Sequence, residues 1–80
     1  MTRYFFDFTD GAYSTQDRDG HECASDDDAR LEILRALPEV LLNGPRDADE
    51  REVACSVRDE GGFVLYRASV ILKAQRMSNR

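Results

Sequence analysis

The nine residues Arg3-Tyr4-Phe5-Phe6-Asp7-Phe8-Thr9-Asp10-Gly11, RYFFDFTDG, decide how the rest of the chain is read. Tyr4, Phe6 and Phe8 alternate with Arg3, Phe5 and Asp7, a period of two that puts the first three side chains on one face of an extended strand. Aromatic side chains suit a half-buried pleated surface, so one face of this strand belongs to a core. Asp10-Gly11 then ends it, because these residues tolerate the positive φ of a tight hairpin. Residues 12–16, AYSTQ, read as a weak returning strand, polar enough for a sheet edge.

An aromatic sheet face needs a cover, and the following segment supplies a helix. Ser25 is a good N-cap with Asp28 three residues on as its capping-box partner, and Asp26 and Asp27 favour the positive end of the helix dipole. Ala29, Ile33, Ala36, Leu37, Val40 and Leu41 recur at three- and four-residue steps, opposed by Arg30, Glu32, Arg35 and Glu39. Pro38 removes a backbone donor and crowds the preceding turn, which predicts a kink or a break into two pieces near Leu37. Asn43-Gly44-Pro45 carries the stop signals, and residues 45–50 form the longest expected loop.

Beyond that loop the period returns to two. Val53, Cys55 and Val57 alternate with polar or small residues, Asp59-Glu60-Gly61-Gly62 reads as a turn, and residues 63–74 read as the longest strand. In that last strand Val64, Tyr66, Ala68, Val70 and Leu72 are expected on one face, and Phe63, Leu65, Arg67, Ser69, Ile71 and Lys73 on the other. The expected fold is α+β: ββαββ, two antiparallel hairpins forming a four-stranded sheet with one helix, kinked at the proline, packed on one face. It is a single domain over residues 1–80, with an ordered core over 3–74 and a frayed tail over 75–80.

Eighty residues bury only about 60–65% of the surface exposed by the unfolded chain, so the core is thin. With 41% hydrophobic and 34% charged residues the composition is that of a globular domain, not a disordered segment. No run reaches the length of a transmembrane span, and the apolar start is broken by Asp7, which argues against a signal peptide. The expectation is a cytoplasmic protein with no membrane association, in which Cys23 and Cys55 are free, buried thiols. The net charge of −5 is uneven: residues 1–50 carry −8 and residues 51–80 carry +3, with no acid after Gly62. Arg67, Lys73, Arg76 and Arg80 near Tyr66 are the features that favour nucleic acid, but a pI of 4.7 makes such binding an unfavoured expectation.

Carboxylates and the single histidine crowd into residues 15–28. In a calcium-loop frame Thr15, Asp17, Asp19, Gly20 and Asp26 fall at positions one, three, five, six and twelve. Against this, position one lacks a carboxylate, Asp26 is shorter than the usual bidentate Glu, and the preceding residues read as a strand. Asp17-Arg18-Asp19-Gly20 is therefore read first as a turn. His21 and Cys23, with Cys55 and an Asp, could be set as a zinc site, yet the spacing matches no recognised zinc module, and a surface histidine with two buried thiols explains the same residues. A Cys–His nucleophile is conceivable because residues 21 and 23 share a face, but nothing supplies an oxyanion site or a phosphate loop, so no catalytic residue and no cofactor is expected.

The remaining candidate is a surface. If the helix covers Tyr4, Phe6, Val70 and Leu72, then Phe5, Leu65 and Ile71 point outward and could meet a protein partner or a second copy of the chain. The alternative is that long Arg and Lys stems, or a helix that wraps further, cover them.

Arg3-Tyr4-Phe5-Phe6-Asp7, the Asp10-Gly11 turn, Asp17 with Gly20, Ala29-Arg30 through Arg35-Ala36-Leu37, and Val57-Arg58-Asp59-Glu60 with Gly62 carry a family likeness. The chain resembles short, uncharacterised bacterial proteins that open with R-Y-F-F-D and are grouped as a domain of unknown function. The resemblance runs over residues 3–73 and brings no catalytic residue with it. His21 and Cys23 lie outside its pattern. The sequence thus leads to a small non-enzymatic interaction or regulatory module, homodimeric or bound to another protein. The runner-up is weak binding of calcium, magnesium, zinc or nucleic acid.

Overall fold

The computed structural model describes residues 1–44 and 49–78. The chain runs β1 (Thr2–Asp10), β2 (Tyr13–Thr15), β3 (His21–Cys23), α1 (Asp26–Leu42), β4 (Glu50–Arg58) and β5 (Val64–Lys73). It is an α+β domain with one helix over an antiparallel sheet in the order β2-β1-β4-β5, and β3 pairs with β1. The two long strands β1 and β4, one before the helix and one after it, form the centre.

The expected four strands are five. Thr15 lies opposite Phe8 and His21 lies opposite Tyr4, so β2 and β3 occupy successive stretches along one edge of β1. They are one returning strand interrupted by residues 16–20. The interruption is held by carboxylate chemistry. Asp17 lends its side chain to the amide of Phe6, at 3.1 Å, which no strand residue reaches at the gap. On the opposite side of β1, beyond the last β4 partner, Glu60 Oε1 accepts from the Arg3 amide at 3.1 Å in the same way.

The β1–β2 loop is Gly11-Ala12, with Gly11 at φ 60° and Ala12 on the negative side, the pattern of a two-residue turn with glycine first. Asp59 organises the other hairpin: its Oδ1 accepts from Gly61 and Phe63 amides at 2.9 Å each.

Helix α1 begins where its cap predicts, with Ser25 Oγ accepting from the Asp28 amide at 3.2 Å and three aspartates in the first turn. The expected break at Pro38 is absent, and α1 is one element of 17 residues with the proline inside it. Pro38 is exposed, as is Leu34, whose carbonyl would have received the missing bond; water can satisfy that group on this side of the helix. The last turn contains no basic residue, and β4 supplies one. Arg51 donates to the carbonyls of Leu41 and Val40 and pairs with Asp10, joining helix end, β4 and β1. A Cβ on Gly44 would run into this guanidinium.

Ala29, Ile33 and Leu37 of α1 are buried against Val53, Cys55 and Val57 of β4, with Tyr4 and Cys23 closing one end. Each fully buried Ile, Leu or Val of this set contributes about 1.5–3 kcal/mol by leaving water. Phe6, Phe8, Tyr66, Ala68 and Val70 pack around them half-buried. The longest expected loop mostly lies outside the described residues, which omit 45–48, while Glu50 already belongs to β4. Residues 74–78 carry no regular secondary structure, and 79–80 lie outside the described residues.

Candidate functional site

The cluster over residues 15–28 resolves into separate parts. Asp17 accepts from the amides of Phe6, Asp19 and Gly20, so its carboxylate is occupied by the chain itself. Burial pushes its pKa up, but those three N–H groups outweigh it, and the net shift is below the usual carboxylate range. Thr15 is an exposed β2 residue paired with Phe8, and Asp19 is exposed, its carbonyl accepting from Arg3 at 2.6 Å. Asp26 sits in the first turn of α1 and accepts from the Tyr4 hydroxyl at 2.5 Å, a bond that pushes the phenol up to about 12. Asp17 and Asp26 are thus committed to different structural tasks. Among the described residues, no three His, Cys, Asp or Glu side chains gather as a metal site would require.

His21 and Cys23 do lie on the same face of β3, opposite Tyr4 and Thr2. His21 is exposed, its ring edge-on to Phe6 with centroids 6.4 Å apart, whereas Cys23 is buried. Burial first, then the charges of Glu32 and Asp28, push the Cys23 thiol up; burial and Asp7 push Cys55 up to about 12. Both are free thiols held in their unreactive form. A shallow groove of about 290 Å³ opens between β1, β3 and α1, with Phe6, Phe8, His21, Glu32 and Ala36 among its walls.

The three expected interaction residues are not brought together. Phe5 is half-buried beneath the Arg58 guanidinium, 5.1 Å from the ring centroid. Leu65 does not point to the open face. A register shift pairs Val57 with Tyr66 and Arg58 with Val64, leaving Leu65 as the extra residue of a bulge, packed against the core. The bulge also exchanges the faces read from the sequence for Val64, which lies opposite Arg58 on the open side. Ile71 alone stays outward, 58% exposed, opposite Glu52.

The open face carries charged and polar pairs beside these apolar residues. Arg3 pairs with Glu22 at 3.5 Å, Arg58 with Asp7 at 2.6 Å, and Arg67 donates to Ser56 at 3.1 Å. Lys73 lies opposite Glu50, whereas Glu52 lies opposite Ile71. Arg76 lies beyond β5, and Arg80 is outside the described residues.

Apart from Tyr13 of β2, the exposed large apolar residues of the sheet lie along β5. Phe63 just before the strand and Val64, Ile71 and Leu72 within it are all exposed, at one end of the strand order, and no described strand pairs with the outer side of β5. The helix continues this strip. Glu32, Ala36 and Glu39 face the grooves towards β1, which turns Leu34 and Leu41, on the opposite flank of α1, towards β5. Leu34 is 46% exposed. Ile71 is the one member of this strip that the sequence reading names as an interaction residue; the others escape it because an edge is a property of strand order, and strand order is not local.

A helix over one face of an antiparallel sheet, with a long edge that no described strand covers, defines a small α+β domain. The chain matches the family model described as Domain of unknown function (DUF6894) over residues 3–71, and it belongs to that family. No curated protein and no solved structure matches it.

Proposed function

We propose that the chain is a small cytoplasmic interaction or regulatory module, without enzymatic activity of its own, that works by accepting a strand on the outer side of β5. The observation that carries this is the contrast between the two sheet edges. The β2/β3 edge consists of two three-residue strands separated by the Asp17 loop, an interruption of the sort that blocks strand addition. The β5 edge is ten residues long, with its only irregularity at Leu65, near one end. Strand addition there would satisfy backbone groups, and the side chains of Ile71, Leu72 and Leu34 would supply apolar contact.

The test compares amide spectra of the isotope-labelled chain in dilute buffer and in clarified extract of its native cell. Broadening confined to β5 and the Leu34 flank supports the reading. Broadening confined to β2, β3 and the Asp17 loop overturns it, as does a spectrum unchanged in extract from a chain that is also monomeric.

A further inference from the structure

Resting on the reading of β5 as the binding edge, we infer that its occupant is a second copy of the chain, paired antiparallel through β5 about a two-fold axis at Ser69. The register follows from three features of the strand. A continuous sheet with both helices on the same side requires opposite residues to share a face, so the axis must pass through a residue position. An axis at Arg67, Val70 or Lys73 sets Arg67 against itself, Arg67 against Lys73, or Lys73 against itself, and like charges directly opposite are destabilising. An axis at Ala68 sets the bulged Leu65 against Ile71, and axes nearer the ends leave much of the strand unpaired.

The axis at Ser69 avoids all of these. It pairs Tyr66 with Leu72 and Ala68 with Val70 on the helix side, and Arg67 with Ile71 on the open side, over seven regular residues from each copy. The two exposed apolar residues at this end of β5 each gain a cover: Leu72, 43% exposed, meets the Tyr66 ring, and Ile71, 58% exposed, meets the Arg67 stem. Leu34 and Leu41 of each helix flank the seam. The closed two-fold assembly ends at both sides in the interrupted β2/β3 edge, so it does not grow into a fibre.

The charge pattern gives a test in which folding and association move in opposite directions. Within one copy Ile71 lies opposite Glu52, so Ile71→Lys adds an attractive pair to the fold and Ile71→Glu a repulsive one. Across the axis the same side chain meets Arg67 of the other copy, twice over. Sedimentation equilibrium of the purified chain is expected to show a dimer, with Ile71→Glu binding itself about tenfold or more tighter than Ile71→Lys, a gap that narrows as salt is raised. A nitroxide on Ser69→Cys, the native thiols being buried, is expected to show dipolar broadening that the same label on Ser14→Cys does not. A monomer at the highest soluble concentration, a reversed order of the two Ile71 variants, or an unbroadened label at position 69 overturns the inference. A monomer whose β5 amides still broaden in cell extract overturns self-pairing alone and leaves the binding edge standing; silence in both removes both.

Discussion

Arg58 grips Asp7 with two nitrogens, Nε at 2.6 Å from Oδ2 and a terminal nitrogen at 3.2 Å from Oδ1, although Asp7 lies opposite Ser56 in the strand register. The diagonal reach lets one guanidinium serve three groups: the Asp7 carboxylate, the Asp17 carbonyl at 3.1 Å and the Phe5 ring. Asp7 in turn accepts from the Asp17 amide at 2.9 Å. The interrupted edge is therefore tied to the central strands by a closed set of charged hydrogen bonds, of the kind whose members stabilise more together than singly.

Replacing Asp17 by Ala leaves the amides of Phe6, Asp19 and Gly20 without their acceptor. The expected loss is about 1–3 kcal/mol, read as a lower midpoint in urea with an unchanged slope. Combining it with Arg58→Met is expected to cost less than the sum of the two, since both open the same network. Strict additivity would show that the network is only a set of independent contacts.

Acid should loosen this protein through the same groups. The Arg58 guanidinium holds Asp7, the Arg51 guanidinium holds Asp10, and the backbone amides hold Asp17, each below the ordinary carboxylate range. A depressed folded pKa gives stability that is present above the unfolded value, about 4, and is lost as pH falls through the folded one. The Cys55 thiol, raised from 9.0 to about 12, behaves in the opposite sense: its contribution is complete below about 9 and is lost as pH rises towards 12. Thermal unfolding across pH is expected to show a plateau near neutrality with a fall on each side. Asp7→Asn is expected to flatten the acid limb, and Cys55→Ala the alkaline one.

Glycines that share a positive φ do not share the same space. Gly11, at φ 60°, has open room for a Cβ, whereas at Gly20, φ 74°, a Cβ would stand 2.6 Å from Arg3 Cγ and 2.9 Å from Phe5 Cε1. Gly11→Ala is expected to cost the left-handed strain alone, about 1–2 kcal/mol, and Gly20→Ala visibly more. Equal midpoints for the two variants would contradict the close packing of Arg3 and Phe5 on the Asp17 loop.

Both native thiols are expected to resist a thiol-specific reagent at neutral pH in the folded chain and to react fully in denaturant. Exchange-limited labelling that tracks global unfolding would agree; fast labelling of Cys23 in the native state would contradict its burial at the β3–α1 junction.

Much of this fold is legible in local sequence. The Tyr4, Phe6, Phe8 alternation, the Ser25 cap and the Val53, Cys55, Val57 strand all stand as read, because each depends on residues within one element. The third strand is not legible that way. His21-Glu22-Cys23 pairs beyond a gap that Asp17 spans, a contact between side chain and distant backbone. The same holds for Leu65, whose face is set by a bulge against Arg58, and for Arg51, which closes a helix from another element. Of the kink or break expected at Pro38 the break does not occur, because a proline on the solvent side of a helix leaves its orphan carbonyl to water. The β5 edge lies furthest from view, since β5 is an edge only once β4 has taken its place between β5 and β1.

Backbone hydrogen exchange measured at low and high protein concentration tests the central claim most directly, that β5 is a free edge which pairs with another copy. Protection is expected to rise with concentration at residues 66–72 and to stay constant along β2. Exchange on β5 that ignores concentration, or protection that grows along β2 and β3 instead, would contradict it.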